Sequence, residues 1–301
     1  MIRLLLALLA LAVTAPAVGQ GRFVEQDVHS SELSQQVHLT IWLPPGYDVD
    51  RRRRYPVVYM HDGQNLFFKE RSAYQKVWAA DRAALGVIAA GKVAPFIIIG
   101  VDHPGEARYR QYFPAKVATE PVRHTLEKAA GPLHGDAYVR FLADELKPVI
   151  DRSYRTRPQP RFTAVAGSSM GGLISLYALA ERPDVFGLAA AVSTHSPLVG
   201  PDEIAKVPRL AETIKAGWRV YLYERLGAPR GRKLWMDHGT KTLDQHYAPF
   251  QAVIDAEVRR IGWRDGRDFQ SRVFDGAEHD ENAWAARLPE IFGWLLRDWR
   301  R

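Results

Sequence analysis

The sequence predicts an α/β fold with a mostly parallel central sheet that is flanked by helices on both faces. Short apolar segments alternate with helical stretches along almost the whole chain, which is typical of parallel strands joined by helical crossovers. Residues 96–101 are apolar almost throughout, as expected of a strand buried on both faces of a sheet. No internal repeat or long linker divides the chain, so we expect one domain over residues 20–301.

The individual elements are predicted from hydrophobic periodicity and from the turn residues between them. The first strand alternates in polarity and ends at Pro44-Pro45-Gly46, and the second is rich in β-branched and aromatic residues. The predicted strands are residues 37–43, 56–61, 96–101, 161–166, 188–193, 233–236 and 269–274. The predicted helices are residues 73–85, 136–150, 171–180, 247–261 and 281–299. Pro289 either kinks the last helix or starts its second half. Ligands of such sheets bind at the carboxyl ends of the strands, and we therefore look for reactive residues there.

The composition excludes several classes of protein. The 301 residues contain no cysteine, which excludes disulfide scaffolds, thiolate metal sites and thiol nucleophiles. The chain carries 41 Lys and Arg residues against 34 Asp and Glu residues, and the densest basic run is Arg51–Arg54. We interpret this run as a solvated loop, with attraction to an acidic polymer or membrane surface as the alternative. Since no metal-, phosphate- or nucleic-acid-binding motif is recognisable, we expect no cofactor and no nucleic-acid partner, while the oligomeric state stays open.

The N-terminal segment is typical of a cleavable signal peptide. Arg3 precedes an unbroken apolar run over residues 4–13, and small residues then allow cleavage after Ala17 or Gly19. The run is too short to span a bilayer, and no later stretch reaches the necessary length of about 18 apolar residues. We therefore expect residues 1–19 to be removed, and the protein to be secreted or periplasmic without stable membrane insertion.

The candidate nucleophile is Ser169. Residues 167–171 form the pattern Gly-x-Ser-x-Gly, and a predicted strand precedes this pattern while a predicted helix follows it. That context is typical of a nucleophile elbow, whose turn is so tight that only glycine is accommodated on either side of the serine. Ser168 occupies the wrong place in the pattern and is not expected to be the nucleophile.

A serine nucleophile requires a base, and the base is oriented by an acid. In enzymes built on this elbow the acid follows the serine along the chain, and the histidine comes last. His279 follows the final predicted strand and suits this order, whereas His195 lies too soon after the serine and is interpreted as a pocket or loop histidine. Asp244 and Asp237 compete as the acid. We favour Asp244, which lies in the loop beyond the strand, and expect Asp237 to brace that loop.

The tetrahedral intermediate of such a reaction needs two N–H donors. The residue after the nucleophile, Met170, supplies one backbone N–H. We expect the second from Gln64 in the loop after residues 56–61, because Gly63 allows the backbone to turn closely there.

Together these motifs resemble the putative esterase family, which includes esterase D, siderophore esterases, feruloyl and acetyl-xylan esterases and the antigen 85 mycolyltransferases. The segments that carry the resemblance are 61–65, 145–151, 154–156, 167–172 and 276–279 within a similarity running from about 37 to 299. It implies an α/β-hydrolase fold, with Ser169 and His279 as nucleophile and base and with Gln64 as an oxyanion donor. The acid loop departs from the family pattern, because many relatives place the acid where Thr242 stands here.

The motifs therefore predict a secreted serine esterase that forms an acyl-enzyme on Ser169. The substrate alternatives are a siderophore, a feruloylated or acetylated polysaccharide, or a simple acyl ester. Acyl transfer to a sugar or lipid, a non-catalytic binding protein on the same fold, and a peptidase are the competing functions. The polar connection from Val101 to Asp136 is expected to form a binding loop or lid, in which arginines attract an anionic substrate and tyrosines stack on a ring. The residues concerned are Arg108, Arg110, Tyr109 and Tyr112.

Overall fold

A computed structural model describes residues 19–120 and 122–300, so the predicted signal peptide lies, apart from Gly19, outside the described residues. Within these ranges eight strands form one sheet in the order β1-β2-β4-β3-β5-β6-β7-β8. The strands are β1 (Arg22–Ser30), β2 (Gln35–Leu43), β3 (Val57–His61), β4 (Ile97–Val101), β5 (Thr163–Ser168), β6 (Leu188–Val192), β7 (Lys233–Gly239) and β8 (Phe269–Phe274). Strand β2 is antiparallel to both neighbours, and β3 to β8 are parallel to one another.

Helices cover both faces of this sheet. They are α1 (Ala80–Ala89), α2 (Arg108–Tyr112), α3 (Val122–Ala130), α4 (Gly135–Arg140), α5 (Lys147–Ser153), α6 (Met170–Glu181), α7 (Pro201–Lys206), α8 (Leu210–Tyr221), α9 (Ala248–Arg260) and α10 (Glu281–Leu295). Successive strand residues enter different cores, because side chains alternate across a strand. Val57 and Tyr59 belong to the core that includes α6, α8 and α9, whereas Val58 packs in the core beneath α1 and α10. The predicted sheet and its two helical layers are thus confirmed.

The hairpin strand β1 was not predicted from the sequence. Its residues are mostly exposed or half-buried, and its polar composition conceals any apolar alternation. The strand forms because it pairs with β2 along its full length, from Arg22 opposite Leu43 to Ser30 opposite Gln35. Backbone pairing with a neighbour that lies close in sequence therefore determines this edge of the sheet.

Several predicted boundaries are wrong, and the first of them affects the site. The helix predicted over 73–85 begins only at Ala80, and the residues before it form turns that are held to the β3 loop by the Trp78 and Ala80 N–H groups. The helix predicted over 136–150 contains a π-helical turn at Phe141–Leu146. Pro148 follows this turn and cannot donate to the carbonyl of residue 144, which favours the irregularity. The last helix ends at Leu295, before a 3₁₀ turn at Arg297–Arg300.

Two further features of the chain can be located. The four side chains of Arg51–Arg54 are exposed, as a solvated loop requires. Among the described residues, no helix combines the length and the apolar character needed to cross a membrane.

Candidate active site

Ser169 lies in the tight turn between β5 and α6, at the carboxyl edge of the parallel strands. Its backbone has φ 57° and ψ −120°, a conformation that L-residues rarely adopt and that is concentrated at functional sites. The turn depends on glycine, because a Cβ on Gly167 would lie 2.9 Å from the carbonyl carbon of Gly171. The serine thus stands at the N-terminus of α6, where the backbone N–H groups and the helix dipole favour negative charge.

His279 lies beside Asp244 at the same edge of the sheet. The His279 Nδ1 and Asp244 Oδ1 atoms are 2.5 Å apart, and the Asp244 side chain is fully buried. Burial tends to raise the pKa of Asp244, but hydrogen bonds from His279, Ser193 and the Gly239 N–H outweigh it and hold this pKa below its ordinary value. The carboxylate therefore stays charged, and it can hold the imidazole in one tautomer.

The competing aspartate, Asp237, occupies a different environment. Its Oδ1 atom lies 3.1 Å from the Arg287 guanidinium and accepts from the Ser193 N–H, and its Oδ2 accepts from the Trp235 indole at 2.6 Å. Burial raises the pKa of Asp237, although the charge of Arg287 opposes this. Its recorded contacts thus lie in a buried ion-pair network rather than at His279.

Thr242 stands where many relatives place the acid. Its hydroxyl oxygen accepts a hydrogen bond of 2.7 Å from the His279 backbone N–H. The threonine therefore ties the acid loop to the histidine loop through the main chain. The carboxylate two positions later, Asp244, contacts the imidazole itself.

The loop after β3, which holds the predicted oxyanion donor Gln64, turns sharply. Asp62 is left-handed, with φ 58°, and Gly63 begins a 3₁₀ turn that ends at Asn65. A Cβ on Gly63 would lie 2.6 Å from Asp102 Oδ1 and 2.7 Å from the carbonyl carbon of Gly100, so the close approach requires glycine. The first hydrogen bond of the turn runs from the Asn65 N–H to the Asp62 carbonyl. The Gln64 N–H precedes that donor and takes no part in this hydrogen bond. The Met170 N–H is likewise the first of α6 and has no acceptor within the helix.

An ion pair with Arg108 fixes Asp62, the first residue of this loop. Arg108 contacts both oxygens of Asp62, at 2.6 and 2.8 Å. Burial tends to raise the pKa of Asp62, but the Arg108 charge and hydrogen bonds hold it below its ordinary value. The Arg108 guanidinium thus neutralises a carboxylate of the protein, although it also lines the cavity over Ser169, and its attraction of an anionic substrate stays a prediction. Tyr112 is also not available for stacking on a ligand, since it is fully buried.

A cavity of about 740 Å³ opens over Ser169 and His279. Its aromatic wall consists of Tyr74, Trp78 and Trp284. The Trp78 and Trp284 rings pack 5.5 Å apart, and Trp284 also meets the His279 ring edge-on at 5.1 Å. The cavity is also lined by the cationic and polar side chains of Lys76, His103 and Arg108. Sequence analysis missed the wall around Tyr74, because it assigned these residues to a helix.

Tyr247 and His195 lie beside the serine. The His195 Nδ1 atom is 2.8 Å from the Tyr247 hydroxyl, and this hydroxyl also interacts with the Ser169 side chain. Burial, together with the charges of His279 and Arg108, lowers the pKa of His195 to about 4. His195 is therefore a neutral, buried histidine at physiological pH. Sequence analysis did not single out Tyr247, which carries no distinguishing motif.

Two buried neutral histidines predict how stability depends on pH. Burial lowers the pKa of His61 to about 3 and is the main cause of the value of about 4 for His195. In the unfolded chain both titrate near 6.5, so the unfolded state binds more protons once the pH falls below that value. Lowering the pH from 7 to 5 should therefore cost about 2 kcal/mol of unfolding free energy for each histidine.

Urea denaturation of the wild type and of His61→Gln at pH 7 and pH 5 measures this effect. The variant should lose less stability between the two pH values, because it lacks one of the two titrating groups. An unchanged difference between the two pH values would contradict the neutral, buried state of His61.

A family model described as "Putative esterase" matches residues 30–295 of the chain. The chain belongs to the putative esterase family. This membership confirms the resemblance seen in the motifs and the predicted enzyme class, carboxylic ester hydrolase. The strand order and the parallel register confirm the α/β-hydrolase fold.

The individual proteins that the chain resembles differ considerably from it in sequence. The uncharacterized protein YbbA of Bacillus subtilis is 27% identical over 258 residues, which cover 85% of this chain and 91% of that protein. The ferri-bacillibactin esterase BesA of the same organism is 29% identical over 139 residues, or 44% of this chain and 45% of BesA. The solved structure of a ferulic acid esterase superimposes with a TM-score of 0.63 and 20% identity, covering 92% of this chain and 98% of that structure. At this identity the structural likeness concerns the fold alone.

Proposed function

We propose that the protein is a secreted or periplasmic serine esterase that hydrolyses carboxylic esters through an acyl-enzyme on Ser169. The observation that carries this proposal is the 2.5 Å contact of His279 Nδ1 with a buried Asp244, next to a serine held in the strained elbow conformation. The predicted signal peptide supports the location. The similarity to a ferri-bacillibactin esterase and to an endo-1,4-beta-xylanase/feruloyl esterase supports siderophore or feruloyl esters as substrates. Acetylated polysaccharides and simple acyl esters are the other candidate substrates.

The first half of the reaction transfers the acyl group to the enzyme. Ser169 Oγ attacks the ester carbonyl carbon while His279 Nε2 takes the hydroxyl proton, and Asp244 stabilises the resulting imidazolium. The carbonyl oxygen becomes an oxyanion, to which Met170 and Gln64 donate their backbone N–H groups. The intermediate then collapses, the C–O bond to the alcohol breaks, and the alcohol leaves with the proton from His279.

The second half returns the free enzyme. Water attacks the acyl-enzyme carbonyl as His279 removes one of its protons, and the same two N–H groups hold the second oxyanion. Collapse breaks the bond to Ser169 Oγ, which recovers its proton from His279, and the carboxylic acid is released. The aromatic wall of Tyr74, Trp78 and Trp284 would receive part of the substrate beside these residues.

Covalent labelling with a fluorophosphonate tests the nucleophile directly. The purified protein should gain the mass of one phosphonyl group, and peptide mapping should locate that group on Ser169. Ser169→Ala should stay unlabelled, whereas the adjacent variant Ser168→Ala should be labelled like the wild type. Absence of a label on the wild type, or labelling of Ser169→Ala to the same extent, would contradict the proposal and favour a binding protein.

A further inference from the structure

A buried polar network surrounds Asp244 Oδ2, the carboxylate oxygen that does not contact His279 Nδ1. Its members are Ser193, Trp284, Arg287 and Asp237, all of them buried. Ser193 follows the carboxyl end of β6 in a left-handed conformation with φ 40°. Its hydroxyl is 2.6 Å from Asp244 Oδ2, the carboxylate oxygen that does not face the imidazole. None of these groups is needed to explain the fold of the elbow or the oxyanion loop.

The hydrogen bonds of the Ser193 hydroxyl leave it only one orientation. A serine hydroxyl has one proton to donate and two lone pairs that accept. The Trp284 indole N–H donates to Ser193 Oγ at 3.0 Å, and Arg287 Nη2 donates to the same oxygen at 2.7 Å. Both lone pairs are thereby occupied, and the proton must point at Asp244. Donors that crowd an oxygen from two sides also polarise its O–H bond.

The charges of this network favour the same arrangement. Arg287 Nη1 pairs with Asp237 at 3.1 Å, and the Asp237 carboxylate in turn accepts from the Ser193 N–H. The Asp237 carboxylate therefore fixes both the guanidinium and the main chain of Ser193. Of the two buried carboxylates, Asp237 has its counter-charge in Arg287, whereas Asp244 faces the imidazole.

We propose that Ser193 and Arg287 are positioning residues, which hold the Asp244 carboxylate in the orientation that accepts the hydrogen bond from His279 Nδ1–H. This inference rests on the proposed function. Ser193 acts on Asp244 directly, and Arg287 acts through Ser193. Asp237 then serves as the anchor of Arg287, which gives this second aspartate a defined place in the site without contact to the histidine.

A double-mutant cycle between Ser193 and Asp244 tests the inference. Ser193→Ala should lower kcat for p-nitrophenyl butyrate by about 10- to 100-fold at little change in KM, the factor expected for one hydrogen bond to a charged group. In the Asp244→Asn background the same substitution should change kcat by less than about twofold, because its effect passes through Asp244. Equal losses in the two backgrounds would overturn the inference.

Matched variants separate positioning from general stability. Ser175→Ala removes another fully buried hydroxyl, which donates at 2.7 Å to the Gly171 carbonyl, and it should leave kcat within about twofold of wild type. Arg287→Lys keeps the charge but loses the forked contact, and it should show the same dependence on Asp244 as Ser193→Ala if the network acts as argued. Near-UV circular dichroism verifies that each variant is folded.

Proton NMR gives a readout that does not depend on hydrolysis. The downfield signal of the His279 Nδ1 proton reports its hydrogen bond to Asp244, and this signal should move in Ser193→Ala but not in Ser175→Ala. If the wild type hydrolyses no ester and the signal still moves, the proposed function fails while the positioning role stands. If the wild type is active and the signal is the same in Ser193→Ala, the positioning role is refuted.

Discussion

Ser169→Ala is expected to lower kcat/KM for p-nitrophenyl butyrate by about four to six orders of magnitude, as the loss of a serine nucleophile does in enzymes with this constellation. The substitution removes the only atom that the proposed mechanism acylates. The elbow, the Met170 and Gln64 N–H groups and the His279–Asp244 pair would remain in place. A residual rate above that in water is therefore expected from the oxyanion donors and from substrate binding.

The measurement compares initial rates on p-nitrophenyl acetate and butyrate for the wild type and two serine variants. Ser168→Ala is the matched control, since it removes the neighbouring hydroxyl from the end of β5, and it should cost less than about tenfold. Equal rates for the wild type and Ser169→Ala would show that any turnover arises elsewhere. If Ser168→Ala were as inactive as Ser169→Ala, the assignment of the nucleophile to the elbow position would fail.

The second large effect distinguishes the two aspartates. Asp244→Asn should reduce kcat by about 10⁴-fold, because an amide no longer stabilises the imidazolium and favours the wrong histidine tautomer. Asp237→Asn should instead destabilise the fold by about 3 to 5 kcal/mol, because it leaves the buried Arg287 charge without its partner. The sequence alone left these two residues as competitors, and the variants are expected to fail in different measurements.

Both variants are assayed for kcat and for urea denaturation under the same conditions. Asp244→Asn is expected to show the larger loss of rate per folded molecule, and Asp237→Asn the larger loss of unfolding free energy. If Asp237→Asn lost activity as severely as Asp244→Asn while remaining as stable as wild type, Asp237 would be the acid. Thr242, the third candidate position suggested by the resemblance, carries no carboxylate and cannot take this role.

The parts of the molecule that sequence analysis anticipated follow local rules. The β5–turn–α6 segment was predicted within two residues at each end, because its apolar strand, its glycines and its helix are contiguous. The parallel arrangement of most strands, though not their order in the sheet, followed from the alternation of strands and helices along the chain. By contrast, β1 depends on pairing with β2, and the turns around Tyr74 depend on hydrogen bonds to Asn65 and Leu66. Neither feature has a periodicity of its own.

The same division runs through the candidate site. The sequence by itself determined the fold class, the family, the elbow around Ser169 and the histidine after the last strand, because each follows from residues close together along the chain. The sequence favoured Asp244 over Asp237 as the acid, but only the tertiary structure brings Asp244 to His279 from 35 positions away. It also pairs Asp237 with Arg287 and Asp62 with Arg108. These contacts depend on where separate loops meet at the sheet edge, and on which buried charge finds a partner there. Spacing along the chain carries no record of either.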